Sequence, residues 1–329
     1  MRRSLRLIPL LGGLALFVAL AAMPSLPDVT DPQGQIVSLS PHGQAALGLF
    51  LLAGVWWIFE VIPVGVTAIV IGVIQSLWLI RDPRTALTDF MDPSVWFIFG
   101  SLIMGMAFHR TGLTQRLAYK MLTHIPEKTR AIYLGVFAMT AALTLVMAHT
   151  AVAAAIFPLV LVVHHLYEPR GRRTRFGKGL FIGMAWTAGA GSVITLLGAA
   201  RGAVAIGFYR EFTGEEITFW DLTYHMAPLG VVMVLLLWGY VCIAFKPERD
   251  ELPGLRDVAR QRYAKLGPPT RKEWATLLLA IATVAILTLR SFVPALAPVS
   301  KSAVVLGVAV LFFIGEVLPL KDLEKIPWN

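Results

Sequence analysis

The sequence predicts an all-α polytopic membrane protein, and three observations carry that prediction. The 329 residues are 57% hydrophobic and only 15% charged, with a mean hydropathy of +0.70, a composition that excludes a water-soluble globule. Apolar runs approaching the ~20 residues needed to cross a bilayer recur along the chain. The Lys and Arg behind the net charge of +9 are gathered in a few loops, the distribution of cytoplasmic membrane edges and not of a nucleic-acid-binding face.

The chain opens with "MRRSLRLIPLLGGLALFVALAAM", a basic start, an apolar run and a small-residue end. This pattern suits a secretory signal peptide, with Ala19-Leu20-Ala21 as a permissive cleavage site, or a short retained span. A retained span is expected; it leaves the N-terminus cytoplasmic, and in either case the next segment lies outside. Further spans are expected near 44–59, 64–80, 95–108, 179–208, 226–245, 274–292 and 302–320. "HRTGLTQRLAYKMLTHIPEKTR", "EPRGRRTRFGK" and "KPERDELPGLRDVARQRYAKLGPPTRK" are basic and cytoplasmic by the positive-inside bias. "PSLPDVTDPQGQ", "RDPRTALTDFMDP" and "REFTGEEITFWD" are acidic or balanced and external. The single cysteine, Cys242, sits in the apolar run "VVMVLLLWGYVCIAF" and is read as packing, so neither a disulfide nor a thiolate metal site is available.

Residues 131–167 lie between two basic loops and therefore enter and leave on the same side. Their arms, "AIYLGVFAMTAALTLVM" and "AVAAAIFPLVLVVHHLY", are near the lower limit for spanning, and a polar His149-Thr150 pair interrupts them where they meet. A re-entrant hairpin with its tip at membrane depth accounts for this better than two crossings; backbone of that kind needs protein or a watery cavity around it. A second interruption follows in "AWTAGAGSVITLLGAARGAVAIGF" (185–208), where Gly189, Gly191 and Gly198 weaken the helix. These glycines mark either close packing or an unwound span with exposed carbonyls. A hairpin tip followed by an interrupted helix is how secondary transporters form sites from half-helix ends.

"TAIVIGV" at 67–73 returns as "SAVVLGV" at 302–308, with four identities in seven, and each is followed at a comparable interval by Trp96 or Trp328. If one copy runs over 44–245, its five crossings and hairpin make the next copy inverted. That second copy has barely begun at "KDLEKIPWN". The expected architecture is thus an inverted-repeat transporter, truncated in its second repeat.

The stretches "WWIFEVIPVGVTA" (56–68), "VWFIFGSLIMGMAFHRTGLTQRLA" (95–118), "AHTAVAAAIFPL" (148–159), "AGAGSVITLLG" (188–198), "LGPPTRKEW" (266–274) and "IPWN" (326–329) occur in an order that resembles the divalent anion:sodium symporter family. These are the dicarboxylate and sulfate carriers of the ion transporter superfamily. The resemblance implies scaffold helices over 44–130, part of an elevator-like transport domain over 131–245, a cytoplasmic linker over 246–273 and the first helices of a second repeat over 274–329. It also implies a homodimer held by the scaffold, a small anionic substrate, an inner (plasma) membrane location and sodium as coupling ion, with no other cofactor.

Laid on the family's pattern, the hairpin-tip Ser-Asn-Thr becomes Ala148-His149-Thr150, the serine one turn earlier becomes Thr144, and the partner-loop glycine falls on Gly191. The family's Thr-Pro-Pro-Asn reads Ala199-Ala200-Arg201-Gly202 here. The resemblance therefore implies an ion site at Thr144, Ala148, His149 and Gly191, and substrate contacts at His149, Thr150 and Arg201. Ala148 and His149 lack two side-chain oxygens that a hard cation would use, although backbone carbonyls remain. An imidazole titrates near pH 6.5, so His149 offers proton coupling as an alternative, against a packing role at the tip. Arg201, a guanidinium inside a membrane segment, suits an anion, or else pairs with Glu211, Glu215 or Glu216. Glu60 is read as a helix-end or interface residue in preference to a proton carrier, and "HHLYE" (164–168) lacks the spacing of a zinc protease. The competing functional reading is a non-transporting membrane scaffold, assembly subunit or inactive half-transporter.

Overall fold

The computed structural model describes residues 3–24, 26–30, 34 and 36–325. The match at 326–329, with Trp328 of the proposed repeat, lies outside the described residues. The chain divides into two compact units at Asp92, so the block expected at 44–130 falls in both.

In the first unit, α1 (Arg3–Ala22) packs along α2 (Pro41–Ile58). Ser40 caps α2 by accepting from the Gly43 N–H, and Pro41 supplies a pre-set first turn. Gln44 is buried, and its side-chain amide donates to the carbonyls of Leu20 (2.8 Å) and Met23 (3.1 Å). Those two bonds satisfy carbonyls that the end of α1 leaves open. A two-strand hairpin, β1 (Val29–Thr30) against β2 (Ile36–Val37), joins the helices. Glu60 turns the chain at φ 46° into α3 (Val64–Leu77), which leads to the short α4 (Pro83–Thr88). A positive φ is uncommon outside glycine, which fits Glu60 as a helix-end residue.

The second unit runs α5 (Pro93–Thr111), α6 (Leu113–Leu122), α7 (Thr129–Thr144), α8 (His149–Tyr167), α9 (Arg175–Gly191), α10 (Ala200–Thr213), α11 (Phe219–Ala244), α12 (Leu255–Lys265), α13 (Arg271–Leu289) and α14 (Lys301–Ile314). α7 and α9 approach closely because Gly179 and Gly183 present no side chain where Tyr133 and Phe137 press in. Around this contact Tyr133 stacks on Phe176 at 5.1 Å, and its hydroxyl donates to the carbonyls of Phe176 and Phe245. α11 is a 26-residue apolar helix with few buried residues. Leu236 and Ile243 on it are 68% and 83% exposed, an apolar surface too extensive for water.

Several expectations are corrected. Among the described residues, four helical stretches are long and apolar enough to cross a membrane: Pro83–Thr111, His149–Tyr167, Phe219–Ala244 and Arg271–Leu289. The spans expected at 64–80 and 302–320 shrink to the 14 residues of α3 and the 14 of α14, about 21 Å each against a ~30 Å hydrocarbon core. Each of those helices is followed, two residues past its end, by a residue of positive φ, Leu79 and Glu316. The span expected at 179–208 becomes α9 and α10 with 192–199 between them, and "REFT" belongs to α10, not to an external loop. The segment 246–273 contains the helix α12, which is compatible with the expected linker. The hairpin turn occupies 145–148, so His149 and Thr150 begin α8 instead of forming the turn.

Candidate functional site

Two interrupted helices meet at their breaks. α7 ends and α8 begins across 145–148; α9 ends and α10 begins across 192–199. The second connection is buried except for Val193 and Ala199's successor Ala200, so its backbone groups require partners. Thr195 Oγ1 donates to the Leu145 carbonyl at 2.9 Å. The His149 N–H donates to the Gly198 carbonyl at 3.0 Å, and His149 Nδ1 lies 3.2 Å from the same oxygen. That contact requires the proton on Nδ1, so the ring donates as well.

The seam is close-packed. A Cβ on Gly198 would lie 2.6 Å from the Ser192 carbonyl oxygen and 2.7 Å from that of Thr144. A Cβ on Gly191 would meet Thr144 Oγ1 at 2.6 Å and the Ala141 Cα at 2.7 Å. Carbonyls at the C-terminal ends of α7 and α9 thus converge beside Gly198. Such ends carry partial negative charge and oxygen atoms that suit a hard cation.

The opposite polarity faces the starts of α8 and α10. Ala148 and Ala199 occupy their N-cap positions, and neither helix has a side-chain cap. The His149 N–H is taken by the Gly198 carbonyl; first-turn N–H groups without a cap, at the positive end of a helix dipole, are suited to an anion. Arg201, in the first turn of α10, adds a guanidinium where a helix dipole disfavours cations. One of its nitrogens folds back onto α9, donating to Ser192 Oγ (2.9 Å) and the Gly189 carbonyl (3.2 Å), while the side chain stays exposed.

The sequence-derived residues are distributed as follows. Thr144 and Gly191 touch across the seam, with Thr144 fully buried and its hydroxyl donating to Ala141 O at 2.6 Å. Ala148 is the N-cap of α8 and nearly buried; His149 is half-buried, and Thr150 is exposed in the first turn. Pairing of Arg201 with Glu211, Glu215 or Glu216 is not what forms. Glu216 is held by Arg290 at 2.9 Å and Lys301 at 2.8 Å, and Glu215 accepts from the Tyr209 hydroxyl. Burial pushes the Glu216 carboxyl up, but the bonds from Arg290 and Lys301 outweigh it and pull it down to about 2.

Ser192 and Thr195 were not singled out in sequence. The signal was present in "GSVITLLG", where two hydroxyls interrupt an apolar stretch much as His149 and Thr150 do in the hairpin. A larger cavity of about 690 Å³ lies elsewhere, between α5, α6, α7 and α13. Apart from Lys120 and His124 its lining offers nothing polar, so it does not suit a small anion.

Broken helices whose ends meet inside an apolar, multi-helix chain define a multi-pass membrane protein of the transporter class. Residues 11–329 match the model of the sodium:sulfate symporter transmembrane region, and the chain belongs to that family, whose members are transporters and not enzymes. It is 25% identical over 301 residues to the sodium-dependent dicarboxylate transporter SdcS of Staphylococcus saprophyticus, covering 88% of this chain and 57% of that protein. It is 24% identical over 295 residues to the transporter of the same name in Staphylococcus aureus strain NCTC 8325, covering 86% of this chain and 56% of that protein. The chain therefore spans somewhat over half the length of these relatives.

Proposed function

We propose that this chain serves in sodium-coupled symport of a small anion, a di- or tricarboxylate or sulfate, across the plasma membrane. The observation that carries the reading is the sorting of helix ends at the seam. The starts of α8 and α10 lack side-chain caps, with only the His149 N–H taken by the Gly198 carbonyl, and the carbonyls ending α7 and α9 converge on Gly198. In this reading the anion sits against His149, Thr150 and Arg201. The sodium ion takes backbone oxygens beside Thr144, Ala148 and Gly191, which compensates for the absent Ser and Asn side chains. The relatives' names, sodium-dependent dicarboxylate transporter, support both the ion and the substrate class. We further read 131–167 as re-entrant, α13 and α14 as opening an inverted second copy, and the working unit as a homodimer with its N-terminus cytoplasmic.

Uptake of radiolabelled succinate, citrate and sulfate into proteoliposomes, under imposed sodium and pH gradients, tests the proposal. A sodium gradient is expected to drive accumulation of at least one of them. No uptake of any, with the protein folded, favours instead a membrane scaffold or half-transporter.

Arg201→Gln is expected to raise KM by about 10- to 100-fold, the worth of a charge-assisted hydrogen bond of about 1.5–3 kcal/mol, while the loss of its exposed bonds to Ser192 and Gly189 lowers the unfolding midpoint only slightly. An unchanged KM removes Arg201 from the substrate site. His149→Asn is expected to retain sodium dependence, because an amide can donate to the Gly198 carbonyl as the ring does. Uptake driven by a pH gradient in the wild type and lost in this variant establishes proton coupling instead.

A further inference from the structure

A second group of charges lies at the far end of α10. A cavity of about 60 Å³ is lined by Ser94 and Phe97 of α5, Leu196 of the buried 192–199 connection, Arg210 of α10, and Lys301 and Ser302 of α14. That volume holds a few waters, or one carboxylate or tetrahedral oxyanion, but not a whole tricarboxylate. Glu216 is the carboxylate on its wall, and it is already divided between Lys301 and Arg290, which are 16% and 9% exposed as side chains. Lys301 also donates to the Ile217 carbonyl at 3.0 Å. Among the described residues, the guanidinium of Arg210 has no hydrogen bond or ion pair. Of the other two carboxylates at this end of α10, Glu215 accepts from Tyr209, and Glu211 is exposed; neither is in the lining.

Two cations, the exposed Arg210 and the partly buried Lys301, therefore line a small cavity whose one carboxylate, Glu216, is bonded to Lys301 and Arg290 and not to Arg210, so the local balance is positive. We infer that this cavity is a second anion site, in which a carboxylate or a tetrahedral oxyanion bridges Arg210 and Lys301. Its place is defined by α10: Arg201 and Arg210 are nine residues apart on one helix, about 13 Å of axial rise. Leu196 lines the cavity and belongs to the same connection that forms the seam. The site is thus a station flanking the proposed substrate site, suited to capturing an anion by one charged group. The inference goes beyond the transport reading and does not depend on it, since the cavity is built without His149, Thr150 or Arg201.

Equilibrium binding of radiolabelled sulfate to the full chain in nanodiscs tests it, with Arg210→Gln and Arg201→Gln compared side by side. Arg210 has no partner to lose, so its variant keeps the fold, and far-UV circular dichroism with a thermal melt verifies this. The expected result is a binding component that survives Arg201→Gln and weakens at least tenfold in Arg210→Gln. Arg210→Lys retains a cation and restores most of it. Sulfate binding by Arg210→Gln that equals the wild type overturns the site, as does loss of all binding in Arg201→Gln alone. If uptake assays fail while the Arg210-dependent component persists, the second site stands and the transport reading falls.

Discussion

Arg116→Ala is expected to lower the stability of the second unit by about 3–5 kcal/mol, the usual consequence of leaving one partner of a buried ion pair alone. Arg116 lies on α6 and Glu273 on α13, with side chains 7% and 5% exposed. Arg116 Nε meets one carboxylate oxygen at 2.7 Å and Nη2 the other at 3.2 Å. The remaining donors reach the carbonyls of Gly267 (2.9 Å), Leu266 (3.3 Å) and Pro268 (3.4 Å). Glu273 also closes the capping box of α13 with Thr270. One guanidinium thus ties α6 to the segment that starts α13, and its loss strands a carboxylate and several carbonyls together. Lysine has no planar fork to replace it, so Arg116→Lys should recover only a small part. Unfolding in mixed micelles, followed by tryptophan fluorescence, measures the effect. The Arg116→Met/Glu273→Leu double variant should be far less destabilised than either single truncation, because a buried pair replaced by apolar groups leaves no charge behind. Equal additive losses would show that the pair is not coupled.

Gly198→Ala is expected to abolish anion uptake and binding at the seam, with a stability loss of about 1–3 kcal/mol from overpacking. The added methyl would sit 2.6 Å from the Ser192 carbonyl oxygen, 2.7 Å from that of Thr144 and 2.8 Å from the Ser192 Cα. All three are backbone atoms, two of them in Ser192, so relief requires the 192–199 connection to change shape and to separate from the end of α7. The His149 bond to the Gly198 carbonyl belongs to the same contact. Gly189→Ala provides the control: its Cβ would meet nothing within 4 Å, and within α9 the change should be neutral or stabilising by up to about 1 kcal/mol. Uptake by Gly198→Ala equal to that of Gly189→Ala would mean that the seam tolerates opening and is not the site.

The two interruptions were legible because each conflicts with its surroundings. A His-Thr pair in an apolar run and three glycines in a membrane segment both break the local pattern, and such breaks point to function. The tip's finer geometry was not legible. Ala148 is a poor N-cap by preference, and nothing local marks 145–148 as the turn; the position follows from where Gly198 and Thr195 receive the chain. Arg201 is legible as a charge in an apolar segment, but its partner is not legible from its neighbours in sequence. The acidic residues nearby point elsewhere, because Arg290 and Lys301, far along the chain, hold Glu216.

The stretches "HRTGLTQRLA" and "LGPPTRKEW" were recognisable as family-like words without a stated purpose. Their purpose is one contact, Arg116 with Glu273 and the carbonyls before it, separated by 157 residues in sequence. Composition, hydropathy and charge placement by themselves determined that this chain is all-α, multi-pass and interrupted twice, because burial in lipid restricts the backbone to helices and makes every exception conspicuous. Which interruption faces which, which carboxylate answers which cation, and where the helix ends converge were decided only by tertiary structure. Those pairings depend on close approach between distant segments, allowed here by Gly179, Gly183, Gly191 and Gly198, and no local pattern records the distance between them.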